Sequence, residues 1–94
     1  MLWIDTKYIN LISNKLERFS KKSDNLYNFR CPYCGDSQRN KFKARGYVYE
    51  LKGNLLYKCH NCSQGGSLGS LLEFVDQFLF NQYRLEKFKE KGHR

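Results

Sequence analysis

Residues 30–37 read RCPYCGDS and residues 58–63 read KCHNCS, and these two segments decide the fold. Each segment holds a Cys-x-x-Cys pair, a spacing at which a tight turn directs two sulfur atoms at one point. Four thiolates about 2.3 Å from one ion make a closed tetrahedral site, which is typical of structural zinc. The sequence therefore predicts one zinc ion, and the predicted ligands are Cys31, Cys34, Cys59 and Cys62.

Other uses of these cysteines fit the sequence less well. Two disulfides would indicate a secreted chain, but the start of the sequence does not resemble a signal peptide. A redox Cys-x-x-Cys usually occurs once, beside a βαβ pattern. His60 lies inside the second pair and could compete as a ligand, but four cysteines already complete the shell.

Length and composition limit the class of protein. A chain of 94 residues forms one domain with a limited core, so a metal crosslink is physically useful. Seventeen basic against nine acidic residues give a net charge of +8. Such an excess favours a polyanionic partner such as nucleic acid, although it also serves solubility. The sequence has no apolar run long enough for a membrane span, and unpaired thiols without a targeting segment indicate the cytoplasm, or the host cytoplasm for a viral protein.

The first 25 residues predict a helix followed by a loop. Asp5 is a good N-cap residue, and apolar residues recur at helical spacing after it, so we expect a helix from about Thr6 to Arg18. Residues 20–25 (SKKSDN) have turn composition and no periodicity, which predicts a loop.

Residues 26–66 predict a zinc ribbon, here a three-stranded antiparallel sheet that carries both cysteine turns. Strand-like segments cover 26–30, 44–51 and 55–58, and the KGN sequence at 52–54 signals the hairpin turn between the last two. Gly35 follows the first cysteine pair, where a positive φ would close the turn. The polar, basic segment 36–43 predicts an exposed loop.

Residues 67–90 predict a single C-terminal helix. Gly65-Gly66 breaks the chain, Ser67 or Ser70 can cap the helix, and Ser70 with Glu73 fits a capping box. The predicted fold class is therefore α+β: a small zinc ribbon flanked by an N-terminal and a C-terminal helix. We expect one domain, 1–94, made of the helix and loop (1–25), the ribbon (26–66) and the second helix (67–90).

The sequence shows no catalytic constellation. Acidic residues are scattered, without the paired carboxylates that hold magnesium for phosphoryl transfer. A closed four-cysteine site also leaves no position for a reactive water. We therefore expect that this chain is not an enzyme by itself.

The hairpin is the most informative surface. If residues 53–54 form a two-residue turn, Tyr49 pairs with Lys58 and Tyr47 with His60, and Arg45 joins the same face. Cations can neutralise phosphates while rings stack on bases, a combination suited to single strands. The predicted nucleic-acid-binding residues are Lys43, Arg45, Tyr47, Tyr49, Lys58 and His60. The alternatives are that both tyrosines belong to the core and that the arginine is merely solvated.

Several segments together resemble the amino-terminal zinc-binding domain of DNA primases from T-even-type bacteriophages. They are WID at 3–5, FRCPYCGDS at 29–37, KARGY at 43–47, CHNC at 59–62 and EKFKEKG at 86–92, so the likeness covers nearly the whole chain. More distantly, residues 59–78 are similar to bacterial replicative primases, which often have histidine as the second ligand where this chain has Cys34.

This resemblance implies a division of labour. In such primases the zinc domain helps to select the single-stranded DNA template sequence at which an RNA primer begins. It then delivers the template, and often the nascent primer, to a separate RNA-polymerase domain that uses magnesium. The chain would be followed by such a domain or be a stand-alone relative. A replicative helicase is a further partner implied by the family, with Phe80, Tyr83 and Phe88 as possible contacts, although core packing explains these residues better.

Two other classes of function compete with a primase domain. The chain could be a stand-alone zinc-ribbon adaptor for protein interaction or transcription. It could also be an enzyme in its own right, against which the scattered acidic residues argue. Salt-dependent, sequence-selective binding to single-stranded DNA would distinguish a primase domain from an adaptor.

Overall fold

The computed structural model describes residues 2–35, 39–40 and 42–92, with side chains up to residue 90. The chain forms an α+β fold in which two α-helices pack against an antiparallel sheet and a third packs on those two helices. The helices are α1 (Leu2–Leu11), α2 (Leu68–Val75) and α3 (Gln77–Gly92), and a 3₁₀ turn spans Ser13–Lys15. The strands are β1 (Ser20–Ser23), β2 (Leu26–Phe29), β3 (Gly46–Leu51), β4 (Asn54–Cys59) and β5 (Gly65–Ser67).

The sheet has five strands in the order β1-β2-β3-β4-β5, rather than the three that the sequence predicted. The inner strands β2, β3 and β4 are the predicted ones. Segment 20–25, predicted as a loop, forms β1 and a turn at Asn25, whose φ is 61°. Its lysine-rich composition suits an edge strand, which must discourage pairing with other chains. Gly65 and Gly66, predicted to break the chain, pair with β4 as the other edge.

The β3–β4 turn lies one residue earlier than predicted. Lys52 and Gly53 occupy it with φ of 53° and 83°, and two positive φ values are what a two-residue hairpin turn of this hand requires. Tyr47 therefore pairs with Lys58 and Tyr49 with Leu56. This shifts the predicted register by two residues, and because side chains alternate with period 2, every residue stays on its predicted face.

The first helix begins at Leu2 and ends at Leu11, whereas the prediction placed it from Thr6 to Arg18. Asp5 is consequently not an N-cap: it lies inside α1 and is buried. Its carboxylate accepts hydrogen bonds from the Leu55 amide (2.9 Å) and the Tyr83 hydroxyl (2.8 Å) and pairs with Lys87 at 3.3 Å. These three contacts join α1 to β4 and to α3.

The predicted C-terminal helix is interrupted at Asp76. The backbone there is extended (φ −153°, ψ 98°), and the carboxylate accepts the Leu79 amide at 3.2 Å, so Asp76 begins α3 as its capping residue. Ser67, one of the two predicted caps, accepts the Ser70 amide at 3.3 Å and begins α2. Ser70 is inside that helix, so the predicted capping box with Glu73 does not form.

The core lies between the helices and one face of the sheet. Alternate residues of the inner strands are buried there, while their neighbours point to the opposite, open face. The chain approaches itself closely at Gly46, where an added Cβ would lie 2.8 Å from the Tyr57 hydroxyl and 2.9 Å from the Phe29 carbonyl oxygen. The principal buried side chains are Ile4, Tyr8, Ile9, Ile12, Tyr27, Phe29, Val48, Leu55, Tyr57, Leu68, Leu71 and Leu72.

Candidate metal centre and nucleic-acid face

Both cysteine pairs lie on turns of the same construction. The Gly35 amide donates to the Cys31 carbonyl oxygen at 2.9 Å, and the Ser63 amide donates to the Cys59 carbonyl oxygen at 3.1 Å. Gly35 and Ser63 each stand four residues after the first cysteine and have φ of 74° and 66°. The positive φ predicted for Gly35 is therefore present, and each turn directs its two sulfur atoms to the same side.

The four sulfur atoms form one compact group. They all lie within 4.8 Å of one another, with Cys31 and Cys62 at 3.9 Å and Cys34 and Cys59 at 3.9 Å. A disulfide would need about 2.05 Å, so these cysteines are free thiols. Four ligands about 2.3 Å from a central ion would be about 3.8 Å apart in a regular tetrahedron. The spacing therefore fits a metal ion with four sulfur ligands.

The surroundings of the sulfur atoms also suit thiolates. Two backbone amides, of Asn61 and Cys62, point at the Cys59 sulfur at 3.2 and 3.4 Å, and the Asn61 side-chain amide reaches the Cys34 sulfur at 3.4 Å. Burial raises the pKa of the Cys31 thiol to about 12 without a cation beside it. A bound cation would reverse this preference, because it stabilises the deprotonated sulfur. The group can therefore bind a soft divalent metal.

His60 stands outside this group, as the sequence favoured. Its side chain is exposed, and its ring contacts the Tyr47 ring edge-on with 5.1 Å between the centroids. The metal-ligand group found in the described residues contains the four cysteines and no histidine.

The hairpin residues lie on the open face of the sheet. Directly paired residues share a face, and Ser20, Asn28, Tyr47 and Lys58 are paired in succession across β1 to β4. Tyr49 is on the same face two residues along, and both tyrosines are half-buried, whereas the neighbouring side chain of Val48 is in the core.

The predicted nucleic-acid-binding residues are brought together to different degrees. Four of them lie near one another at the end of the hairpin nearest the cysteines. The Arg45 carbonyl accepts the His60 amide at 2.9 Å, and Tyr47 contacts the His60 ring and pairs with Lys58 across the strands. Tyr49 is one row further away. Lys43 is exposed in the segment before β3, and the Lys58 ammonium donates to the Ser63 carbonyl at 3.1 Å.

Arg30 is a structural determinant that the sequence analysis missed. It is buried, and its guanidinium donates to the carbonyl oxygens of Gly35 (2.7 Å), Lys43 (2.8 Å) and Asn40 (3.2 Å). Glu17 pairs with it at 3.8 Å. The position next to Cys31 was visible in the sequence, but arginine is seldom buried and only the fold shows that it holds the ends of the 36–43 loop. Residues 36–38 and 41 of that predicted loop lie outside the described residues.

Charge is divided between the two sides of the molecule. Lysines on the helical side pair with acids: Lys7 with Glu86 at 3.1 Å and Lys15 with Asp76 at 3.5 Å. Within the described part of the chain, no carboxylate pairs with Lys43 or Lys58 on the sheet side. Lys43 and Lys58 therefore lie on the sheet side without an acidic side chain paired to either of them.

The aromatic residues considered as helicase contacts differ in exposure. Tyr83 is in the core, Phe80 is half-buried and Phe88 is 73% exposed. Phe78 and Leu85 are also exposed and share one side of α3 with Phe88. None of the helices in the described residues is both long and apolar enough to cross a bilayer.

The fold and the cysteine group define a small α+β protein in which four cysteines could bind one metal ion. Comparison with known proteins gives its relationship: the chain is 34% identical over 95 residues to the DNA primase of Enterobacteria phage T4. The match covers 96% of this chain but only 27% of that primase, so the chain spans about a quarter of its relative's length. The resemblance predicted from the sequence segments is thus confirmed. No family model matches the chain.

Proposed function

We propose that this chain is the zinc-binding, template-recognition domain of a DNA primase. One zinc ion would be held by the four cysteine thiolates, and it would act as a crosslink that fixes the two turns. The single observation that carries the proposal is the position of the tyrosine and lysine row on the open sheet face, directly beside the cysteine group. The match to a phage primase supports the same conclusion.

The chemistry of this face suits single-stranded DNA. Lysine and arginine neutralise phosphates without reading sequence, and exposed ring surface can stack on unpaired bases. Tyr47 and Tyr49 are half-buried, so each keeps part of its ring accessible while the strand fixes its position. Arg45 can also read a base edge with its planar guanidinium, which gives a route to sequence preference.

The role in replication follows from the primase relationship. The domain would bind template at primer start sites and present it, with the nascent RNA primer, to a separate RNA-polymerase domain that uses magnesium. Residues 1–94 would act as one domain, with the helices supporting the ribbon. A replicative helicase is a further possible partner, and the site of action would be the cytoplasm of a host cell.

A binding titration tests the contact with DNA. The zinc-loaded chain should bind a labelled single-stranded oligonucleotide in a salt-dependent way, and Tyr47→Ala should weaken binding by about 1–3 kcal/mol. Lys58→Ala should reduce the salt slope by about 0.7. Lys89→Ala, on the exposed surface of α3, is the matched control and should bind like the wild type. Equal affinities in all four proteins would place the DNA elsewhere.

Two further variants separate recognition from general affinity. Arg45→Ala should lower the preference between template sequences as well as the affinity. Tyr49→Ala should weaken binding if its ring stacks on a base, whereas a purely structural ring would lower the melting temperature first. Thermal unfolding measured beside each titration distinguishes these outcomes.

A stand-alone adaptor for protein interaction or transcription is the second candidate. The observation that favours it is the exposed side of α3, where Phe78 and Phe88 are 68% and 73% exposed and Leu85 lies between them. Under this alternative, Tyr47→Ala and Lys58→Ala would leave binding of the adaptor to its protein partner intact. Replacing Phe78, Leu85 and Phe88 with serine would abolish that binding.

A further inference from the structure

The open face of the sheet continues past the hairpin into a groove. The groove has a volume of about 480 Å³ and lies between the start of β1 and the segment before β3. Its floor includes Ser20 and Asn28, and its sides carry Arg18, Lys22 and Phe42. Its lining therefore combines two cations, polar side chains and an exposed aromatic ring.

Phe42 is one of several large apolar side chains that lie exposed, and its backbone is held in place by hydrogen bonds. It is 77% exposed, yet its backbone amide donates to the Asn40 side chain at 3.0 Å, and Arg30 binds the carbonyl oxygens of Asn40 and Lys43 on either side. A buried arginine thus anchors the segment that displays this ring. A single exposed apolar side chain is common on a protein surface, so this ring gains its significance from the cations that lie beside it.

Arg18 lies against the same ring. Its guanidinium carbon is 5.1 Å from the centre of the Phe42 ring, and its backbone has a φ of 56°, which is uncommon for a residue with a side chain. Within the described residues, neither Arg18 nor Lys22 pairs with a carboxylate, whereas the adjacent Lys21 pairs with Asp24 at 3.7 Å. The groove therefore holds cations that are available to an anion.

The groove is continuous with the face that carries the hairpin residues. The paired row from Lys58 through Tyr47 and Asn28 ends at Ser20, which is part of the groove floor. Three strand spacings of about 4.8 Å separate the two ends of this row, or about 14 Å. A strand rises about 3.4 Å per nucleotide when its bases stack on one another and more when they stack on protein rings, so at most about four nucleotides are needed to cover the distance.

We propose that this groove binds a further nucleotide of the same single-stranded DNA, with the base on Phe42 and the phosphates near Arg18 and Lys22. The inference rests on the proposed function, because it extends the strand that crosses the hairpin. The end of the bound strand that lies farthest from Lys58 would then contact residues outside the hairpin.

The test compares a long and a short oligonucleotide on the zinc-loaded 94-residue chain. Oligo(dT) of ten nucleotides can reach from Lys58 to the groove, whereas a dinucleotide, with a single link between its two nucleosides, is too short to cover both. Phe42→Ala should lower the affinity for the ten-nucleotide strand at least about fivefold, the lower end of a stacking contribution. In the wild type the ten-nucleotide strand should bind more tightly than the dinucleotide, measured by competition, because only the longer strand reaches both the hairpin and the groove.

The cations are tested through the salt dependence. Lys22→Ala and Arg18→Gln should each reduce the salt slope for the ten-nucleotide strand by about 0.7, as expected for one lost phosphate contact. Lys21→Ala is the matched control, because Lys21 is the neighbouring lysine and has its own partner in Asp24. It should leave the slope unchanged. Melting temperatures equal to the wild type would show that the variants fold.

The outcomes distinguish this inference from the proposed function. If Tyr47→Ala weakens binding while the three groove variants bind both strands like the wild type, the groove is not a subsite. The proposal that the hairpin binds DNA is then unaffected. A wild-type affinity for the ten-nucleotide strand in Phe42→Ala alone would also overturn the subsite. If the wild-type chain binds neither strand, the proposed function fails and the subsite with it.

Discussion

Replacing Asp5 with alanine should destabilise the domain strongly. The Asp5 side chain is 1% exposed and accepts from the Leu55 amide and the Tyr83 hydroxyl while pairing with Lys87. Removing it leaves two buried donors without an acceptor, at about 1–3 kcal/mol each, and a cation without its counter-charge. Breaking a buried pair from one side typically costs about 3–5 kcal/mol, and because these costs overlap we expect this range for the total.

Urea unfolding of the zinc-loaded chain, at fixed zinc concentration, measures the effect. For a domain of this size, about 3 kcal/mol lowers the melting temperature by at least about 12 °C. Lys7→Ala is the control: it removes the 3.1 Å pair with Glu86, in which the Lys7 side chain is 49% exposed, so it should cost about 1 kcal/mol or less. Asp5→Asn keeps the shape and one acceptor and should fall between them.

The result that would refute this reasoning is a small effect. If Asp5→Ala costs no more than Lys7→Ala, the buried network does not join the helices to the sheet energetically. If Asp5→Ala does not fold at all, the Asp5→Asn variant provides the measurable value.

Three further predictions concern the metal, pH and catalysis. Cys59→Ser should lose bound zinc by elemental analysis, together with cooperative unfolding, because folding and metal binding are coupled; retention of one zinc per chain would contradict the four-cysteine site. Hydrogen bonds from Lys7 and Tyr8 lower the pKa of Glu86, so its contribution to stability is present above the ordinary glutamate pKa and is lost as pH falls through the lowered one. The stability difference between the wild type and Glu86→Gln should therefore shrink from pH 7 to about pH 3, and it should be below about 1 kcal/mol because the site is partly exposed. The purified chain should incorporate no nucleotides with magnesium, and adding it to a polymerase domain in trans should restore priming only weakly, since tethering supplies effective concentration; magnesium-dependent synthesis by the chain alone would contradict this.

Local sequence signals predicted the parts of the structure that depend on neighbouring residues. The Cys-x-x-Cys spacing places two sulfur atoms on one turn whatever surrounds it, and the four sulfur atoms do lie together. Alternation predicted the three inner strands and the face on which Tyr47 and Tyr49 lie. The predicted register was wrong by two residues, but the predicted face was still correct, because side chains alternate along a strand with a period of two.

The tertiary structure decided what depends on distant partners. The polar segment 20–23 and the glycine-rich segment 65–67 have no strand signal, and they become strands because β2 and β4 offer unpaired edges. Asp5 looked like a helix cap, but its actual partners lie 50 and 78 residues away in sequence.

The same division holds for the candidate site. The sequence by itself predicted that the four cysteine sulfur atoms lie together and that Tyr47 and Tyr49 share one face of the sheet, since both follow from short spacings. The groove at Phe42 and the anchoring of its loop by Arg30 required the fold, because they arise where strands and loops from separate parts of the chain meet. Hydrogen bonds between such segments leave no periodic trace in the sequence.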